Sequence, residues 1–201
     1  MSDVELQSAL LLTAPAAEAA VGAHRARLDA SARDGVPAHL TVLYPFLPPA
    51  EIGPGVLAEL SRLFAGTPRF DFTLDRVRWF GESVVWLGPS DEFPFRALTA
   101  LAAEAYPSCS PYGGIYEDVV PHLTVGQGDG LAELRTAAGA VRPLLPIAAE
   151  ATEVTLMTGP DPGRQPRSPG HWQTVASFPL DSARARDAGG PAPDDEDQEP
   201  A

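Results

Sequence analysis

Lysine is missing from this chain: all 14 of its basic residues are arginine, set against 27 carboxylates for a formal charge of −13. Proteins that hold long nucleic acid without sequence preference depend on a positive field to release counterions, so the balance argues against that class while leaving a small phosphate ligand open. Cysteine is nearly missing too. The single Cys109 allows no intramolecular disulfide and no Cys-x-x-Cys metal cage, and reads as an ordinary thiol in a loop. No unbroken apolar run approaches the roughly 18 residues of a membrane span. Met1-Ser2-Asp3-Val4-Glu5 lacks the basic region of a secretory signal. The expectation is a cytoplasmic protein with no membrane attachment.

What is present suits a folded unit. At 201 residues and 44% apolar, the chain can bury a core as one domain or two small fused lobes. Residues 5–14 read as a buried strand closed by Pro15, and an alanine-rich helix follows to about Arg33. Residues 39–46 read as a strand, and 54–65 as a helix with Val56, Leu57, Leu60, Leu63 and Phe64 at helical spacing. Residues 70–79 and 83–87 form a strand hairpin, 94–106 a helix, and 108–120 a loop holding Tyr112 and Tyr116. A strand at 122–125, a helix at 131–141, one strand at 147–157, a Pro/Gly loop at 158–170 and a last strand at 172–180 complete the folded part. Asp187 to Ala201, with six carboxylates among Pro, Gly and Ala, reads as an acidic disordered tail outside a domain spanning 1–186.

Two copies of one pattern organise this order: His39-Leu40-Thr41-Val42 and His122-Leu123-Thr124-Val125. Strand side chains alternate faces, so each copy sets an imidazole and a hydroxyl about 7 Å apart on one face, anchored by apolar residues on the other. After each copy the same succession recurs: turn, helix, long strand, turn, and a strand carrying a tryptophan (Trp86, Trp172). Such self-similarity is the mark of a duplication. A period of 83 residues implies two lobes, and an approximate two-fold axis would bring both polar pairs to one cleft.

The paired motifs resemble the His-x-Thr/Ser-x signatures of the 2H phosphoesterase superfamily, in particular its bacterial 2′-5′ RNA ligase-like, RNA 2′,3′-cyclic phosphodiesterase branch. The resemblance covers about residues 5–180. It implies an α+β bilobal duplicated fold, two antiparallel sheets flanked by helices around a central cleft with a pseudo-two-fold axis. It also implies no metal, no cofactor, and hydrolysis or ligation at a phosphodiester. By the same resemblance His122 is the base and His39 the acid, although the pseudo-symmetry leaves the roles interchangeable.

The residue types fit that chemistry on their own account. Opening a cyclic phosphodiester needs one group to deprotonate water and another to protonate the departing ribose oxygen, and imidazole near pKa 6.5 serves either task. Thr41 and Thr124 are expected to donate to the non-bridging oxygens. Tyr44, Phe46 and Tyr116 are candidate stacking surfaces for a base, with core packing as their alternative. Arg164 and Arg167 are candidate clamps for a terminal phosphate, with solvated loop arginines as theirs. The expected partner is a small nucleotide or short RNA with a cyclic phosphate, bound by a monomer. Three other readings compete: a non-catalytic nucleotide- or cyclic-phosphate-binding module, a two-histidine metal hydrolase, and a partner-binding protein. The second is disfavoured because neither motif has a third ligand beside it in the sequence.

Overall fold

The computed structural model describes residues 6–116, 118–160 and 171–181. Its first strand, β1 (Leu6–Thr13), is followed by a 3-10 turn at Pro15–Ala17 and by α1 (Glu18–Leu28). The helix expected to run on to Arg33 breaks at Asp29. That residue takes up extended backbone, and its carboxylate accepts from the Ser31 N–H to cap a short α2 (Ala30–Arg33). The first motif lies on β2 (His39–Leu43). The strand stops short of Phe46 because Pro45 brings no N–H to the ladder.

Next come α3 (Pro54–Ala65), the long β3 (Phe70–Phe80), β4 (Val84–Pro89) and α4 (Phe93–Ala105). The second motif opens β5 (Leu123–Gln127), and α5 (Leu131–Val141) follows it. The single strand expected at 147–157 is two: β6 (Ile147–Ala151) and β7 (Glu153–Pro160). Ile147, Ala149 and Ala151 face inward on odd positions, whereas Val154 and Leu156 do so on even ones. A change of parity exchanges the faces of a strand, and at Thr152 the chain passes from one sheet to the other. β8 (Gln173–Pro179) is the last strand.

The strands form two antiparallel sheets of four, ordered β2-β1-β7-β8 and β5-β4-β3-β6. This is an α+β fold of two helix-flanked sheets. Each motif strand is an edge strand of its own sheet, and the two edges run close enough for Cα atoms of β2 and β5 to lie within 8 Å. β1-α1-β2 and β4-α4-β5 are equivalent units. The helix of each packs on the motif strand of the other, α1 on β5 and α4 on β2. Gly126 permits the first contact, since a Cβ there would lie 2.8 Å from the Leu28 Cβ.

The duplication does not divide the chain into halves that match the sheets. The long strand after the first motif, β3, joins the second motif's sheet, and β7 returns to the first. Trp86 and Trp172 are not equivalent positions either: Trp86 is on β4 beside β5, while Trp172 precedes β8 at the far edge of the other sheet.

One continuous core joins the two sheets through Leu10, Leu40, Phe64, Leu74, Leu98 and Leu123, all at most 1% exposed. Burying such a side chain contributes about 1.5–3 kcal/mol. A smaller apolar cluster of Ala9, Leu11, Val36, Met157 and Trp172 covers the opposite face of the first sheet, next to the motif. No helix among the described residues is long and apolar enough to cross a membrane.

Candidate active site

The two histidines are held in the same way. His39 Nδ1 lies 2.7 Å from the Pro37 carbonyl oxygen and His122 Nδ1 lies 2.8 Å from that of Val120, each carbonyl two residues upstream. A carbonyl oxygen only accepts, so Nδ1 carries the proton in both rings, and Nε2 of the neutral ring keeps its lone pair. The prolines before the motifs, Pro37 and Pro121, lead the chain in extended form and leave these carbonyls free of helical bonding.

Both rings are half-buried, and both are harder to protonate than free imidazole. His39 is pushed down to about 4, first by burial and then by the charge of Arg25. His122 is lowered by burial alone. His122 also acts electrostatically on His39, so the two imidazoles share one environment.

Arg25 is 2% exposed, with Nε and Nη2 both donating to Asp29 Oδ2 at 3.1 and 2.9 Å. Asp29 Oδ1 accepts from the Ser31 hydroxyl at 2.8 Å and from Gln127 at the end of β5. This buried pair thus ties α1 to the end of β5. The i,i+4 spacing of Arg25 and Asp29, with a capping residue ahead of Ala30-Ser31, is the signal that a reading of one unbroken alanine-rich helix to Arg33 passes over.

A cavity of about 110 Å³ adjoins the first motif, lined by Ala9, Leu11, Ser31, Val36, His39, Thr41, Tyr44 and Trp172. His122 and Thr124 do not line it. They stand on the second sheet inside an aromatic wall. Phe80 meets the His122 ring edge-on at 5.0 Å, Trp86 lies 5.9 Å away, and Tyr112 is near-parallel at 6.5 Å with 24° between the planes. Trp86 is the cross-strand partner of both Thr124 and Arg78, which puts all three on one face. Arg78 has no ion-pair partner among the described residues. The indole N–H groups of Trp86 and Trp172 are buried without a hydrogen-bond partner among the described residues.

Tyr112 links the two sides. Its ring stacks on His122, and its N–H donates to the Tyr44 carbonyl. Burial raises its phenol, which therefore stays neutral. It was visible in the sequence only as one of two tyrosines in a loop, because nothing in its spacing connects it to either motif.

The other expected site residues divide. Tyr44 joins the site, lining the cavity with its ring 6.4 Å from Trp172 and its hydroxyl bonded to Gln7. Phe46 is instead a core residue, 6% exposed and edge-on to Tyr106 at 4.9 Å, with its ring committed to packing. Tyr116 is exposed on the rim, touching Tyr112 edge-on at 5.8 Å. Arg164, Arg167 and the acidic tail lie outside the described residues. Among the described residues no three His, Cys, Asp or Glu side chains gather as ligands for a metal.

Comparison with known proteins agrees with this layout. The family model described as the 2′-5′ RNA ligase superfamily matches residues 13–161. Among solved structures, E. coli LigT complexed with 3′-AMP is similar at 21% identity and a TM-score of 0.54, over 87% of this chain and 97% of that one. TT0787 of Thermus thermophilus is similar at 17% identity and a TM-score of 0.57, over 89% and 100%. No curated protein matches the chain.

Proposed function

Since this chain belongs to the 2′-5′ RNA ligase superfamily of 2H phosphoesterases, we propose that it is a metal-independent phosphoesterase acting on 2′,3′-cyclic or 2′-5′ phosphodiester bonds of short RNA or nucleotides. The observation that carries this reading is the matched pair of imidazoles, each with Nδ1 spent on a carbonyl and Nε2 available, on neighbouring edge strands. In hydrolysis one Nε2 takes a proton from water as its oxygen bonds to phosphorus. The bond from phosphorus to one ribose oxygen breaks, and the other imidazolium protonates that oxygen. Thr41 and Thr124 stabilise the charge that grows on the non-bridging oxygens. Ligation runs the same steps backwards with the roles exchanged.

The charges around the rings favour one assignment. Arg25 opposes a proton on His39, and no cation among the described residues does so at His122. In the hydrolytic direction this supports His39 as base and His122 as acid, the reverse of the order that the resemblance suggests.

The test is turnover of a 2′,3′-cyclic nucleotide by wild type, His39→Ala and His122→Ala. Each substitution should lower kcat by about 10²–10⁴-fold while leaving the fold intact. With a p-nitrophenyl phosphodiester, whose leaving group needs no proton, His122→Ala should keep far more activity than His39→Ala. Near-wild-type turnover of the cyclic nucleotide by either variant would overturn the paired mechanism, and an equal loss on the activated ester would overturn the assignment. Turnover by wild type also separates this reading from a non-catalytic cyclic-phosphate-binding module.

A further inference from the structure

Arg78 is opposite Trp86, and Trp86 is opposite Thr124, so the three residues form one row across β3, β4 and β5 on the face that carries the second motif. Neighbouring strands lie about 4.8 Å apart, which sets the backbones of Thr124 and Arg78 about 10 Å from each other, a gap that the long arginine side chain shortens. Two residues before Arg78, Arg76 stands on the same face, but it is spent. Its Nε donates to Asp75 Oδ1 at 2.6 Å, its Nη2 donates to the Ser90 carbonyl at 3.1 Å, and its stem lies against Gly88, where a Cβ would meet Arg76 Cγ at 3.0 Å. Arg78 is exposed and has no ion-pair partner among the described residues. In a chain of 27 carboxylates and 14 arginines this is a matter of placement. The neighbours of Arg78 on its face are Arg76, Phe80, Val84, Trp86 and Gly88, none of them acidic. β6 pairs with β3 only from Phe70 to Leu74, so no strand borders Arg78 on its other side.

We infer that Arg78 binds a second phosphate of the substrate, the 5′-phosphate of the nucleotide whose 2′,3′-cyclic phosphate is opened at the motifs. This rests on the reading of the cleft as a phosphoesterase site. With the scissile group held at Thr124, the row to Arg78 leaves room for a ribose and its 5′-carbon, and the guanidinium meets the group that comes next along the nucleotide. Arginine suits that group because its planar fork donates two parallel hydrogen bonds to phosphate oxygens. A guanidinium already paired with a carboxylate would have to give up that partner first. Arg78 has none to give up among the described residues, and in a chain of net charge −13 it offers an anionic substrate a local positive field beside the second motif. The substrates this selects are RNA ends and 5′-phosphorylated nucleotides, ahead of cyclic nucleotides with a bare 5′-hydroxyl.

The test compares kcat/KM for cytidine 2′,3′-cyclic phosphate, the same nucleotide with a 5′-phosphate, and a dinucleotide that ends in it. Wild type should favour the second and third over the first by about tenfold, the worth of one charge-assisted hydrogen bond, and chiefly through KM. In Arg78→Gln this preference should fall to near unity, while Arg78→Lys should keep part of it. A gain shared by both phosphorylated substrates assigns the contact to the phosphate itself, and a gain confined to the dinucleotide assigns it to an RNA chain. A dinucleotide whose internal phosphate is an uncharged methylphosphonate should lose the gain in wild type, a result that depends on the folding of no variant. Equal kcat/KM on all the substrates, a preference undiminished in Arg78→Gln, or a gain that survives in the methylphosphonate would each overturn the assignment. If wild type opens no cyclic phosphate, the proposed activity fails. Calorimetric binding of cytidine 3′,5′-bisphosphate against cytidine 3′-phosphate, by wild type and Arg78→Gln, then decides the role of Arg78 by itself.

Discussion

At the scale of single residues, the proposed chemistry depends on two imidazoles that are easier to keep neutral than free histidine. With His39 lowered to about 4 and His122 also lowered, the kcat/KM profile should be a bell whose maximum lies below pH 6.5. Its acid limb reports the base gaining a proton and its alkaline limb the acid losing one, as macroscopic values of the pair. A bound phosphodiester anion favours the protonated rings, so the kcat profile should lie to the alkaline side of the kcat/KM profile. A flat kcat/KM profile between about pH 5 and 8 would contradict paired imidazoles. The same shifts bear on stability. Groups lowered in the fold take up protons first in the unfolded chain, so stability is full above about pH 6.5 and falls as pH drops towards 4, by up to about 1.4 kcal/mol per pH unit for His39, with His122 acting in the same direction.

At the scale of elements, Gly126 is the position where helix and motif strand come nearest. Its substitution by alanine would place a Cβ 2.8 Å from the Leu28 Cβ and 3.0 Å from Leu134 Cδ2, so α1 and α5 would both have to yield. Gly126→Ala should cost about 1–3 kcal/mol and lower Tm by several degrees in thermal denaturation. An unchanged Tm would show that the close approach is not needed. Elements such as α3, β3 and α5 were legible in the sequence because one face of each meets the core, and β1 was legible as an apolar run because both its faces are covered. The break in the first helix and the division at Thr152 were not, since each depends on what lies across from it. At Asp29 a buried arginine competes with helical continuation, and at Thr152 a change of sheet looks locally like one extended run. Phe46 and Tyr112 make the same point: both are aromatic residues near a motif or in a loop, and only the packing decides that one fills the core and the other stacks on His122.

At the scale of the whole molecule, each repeat lends a strand to the other's sheet, so neither sheet can form from one half of the chain. Unfolding should therefore be a single cooperative transition. Trp172 reports on the first sheet and Trp86 on the second, so variants retaining one or the other as sole tryptophan should give the same denaturant midpoint; two distinct midpoints would count against coupled sheets. The passages from β2 to β3 and from β6 to β7 carry the backbone between the sheets twice. Together they act as a double suture between the two sheets, and the jaws have no single hinge on which to gape. Entry and exit of a ligand then fall to side-chain rotation and to rim loops, motions of nanoseconds to microseconds rather than slow domain opening.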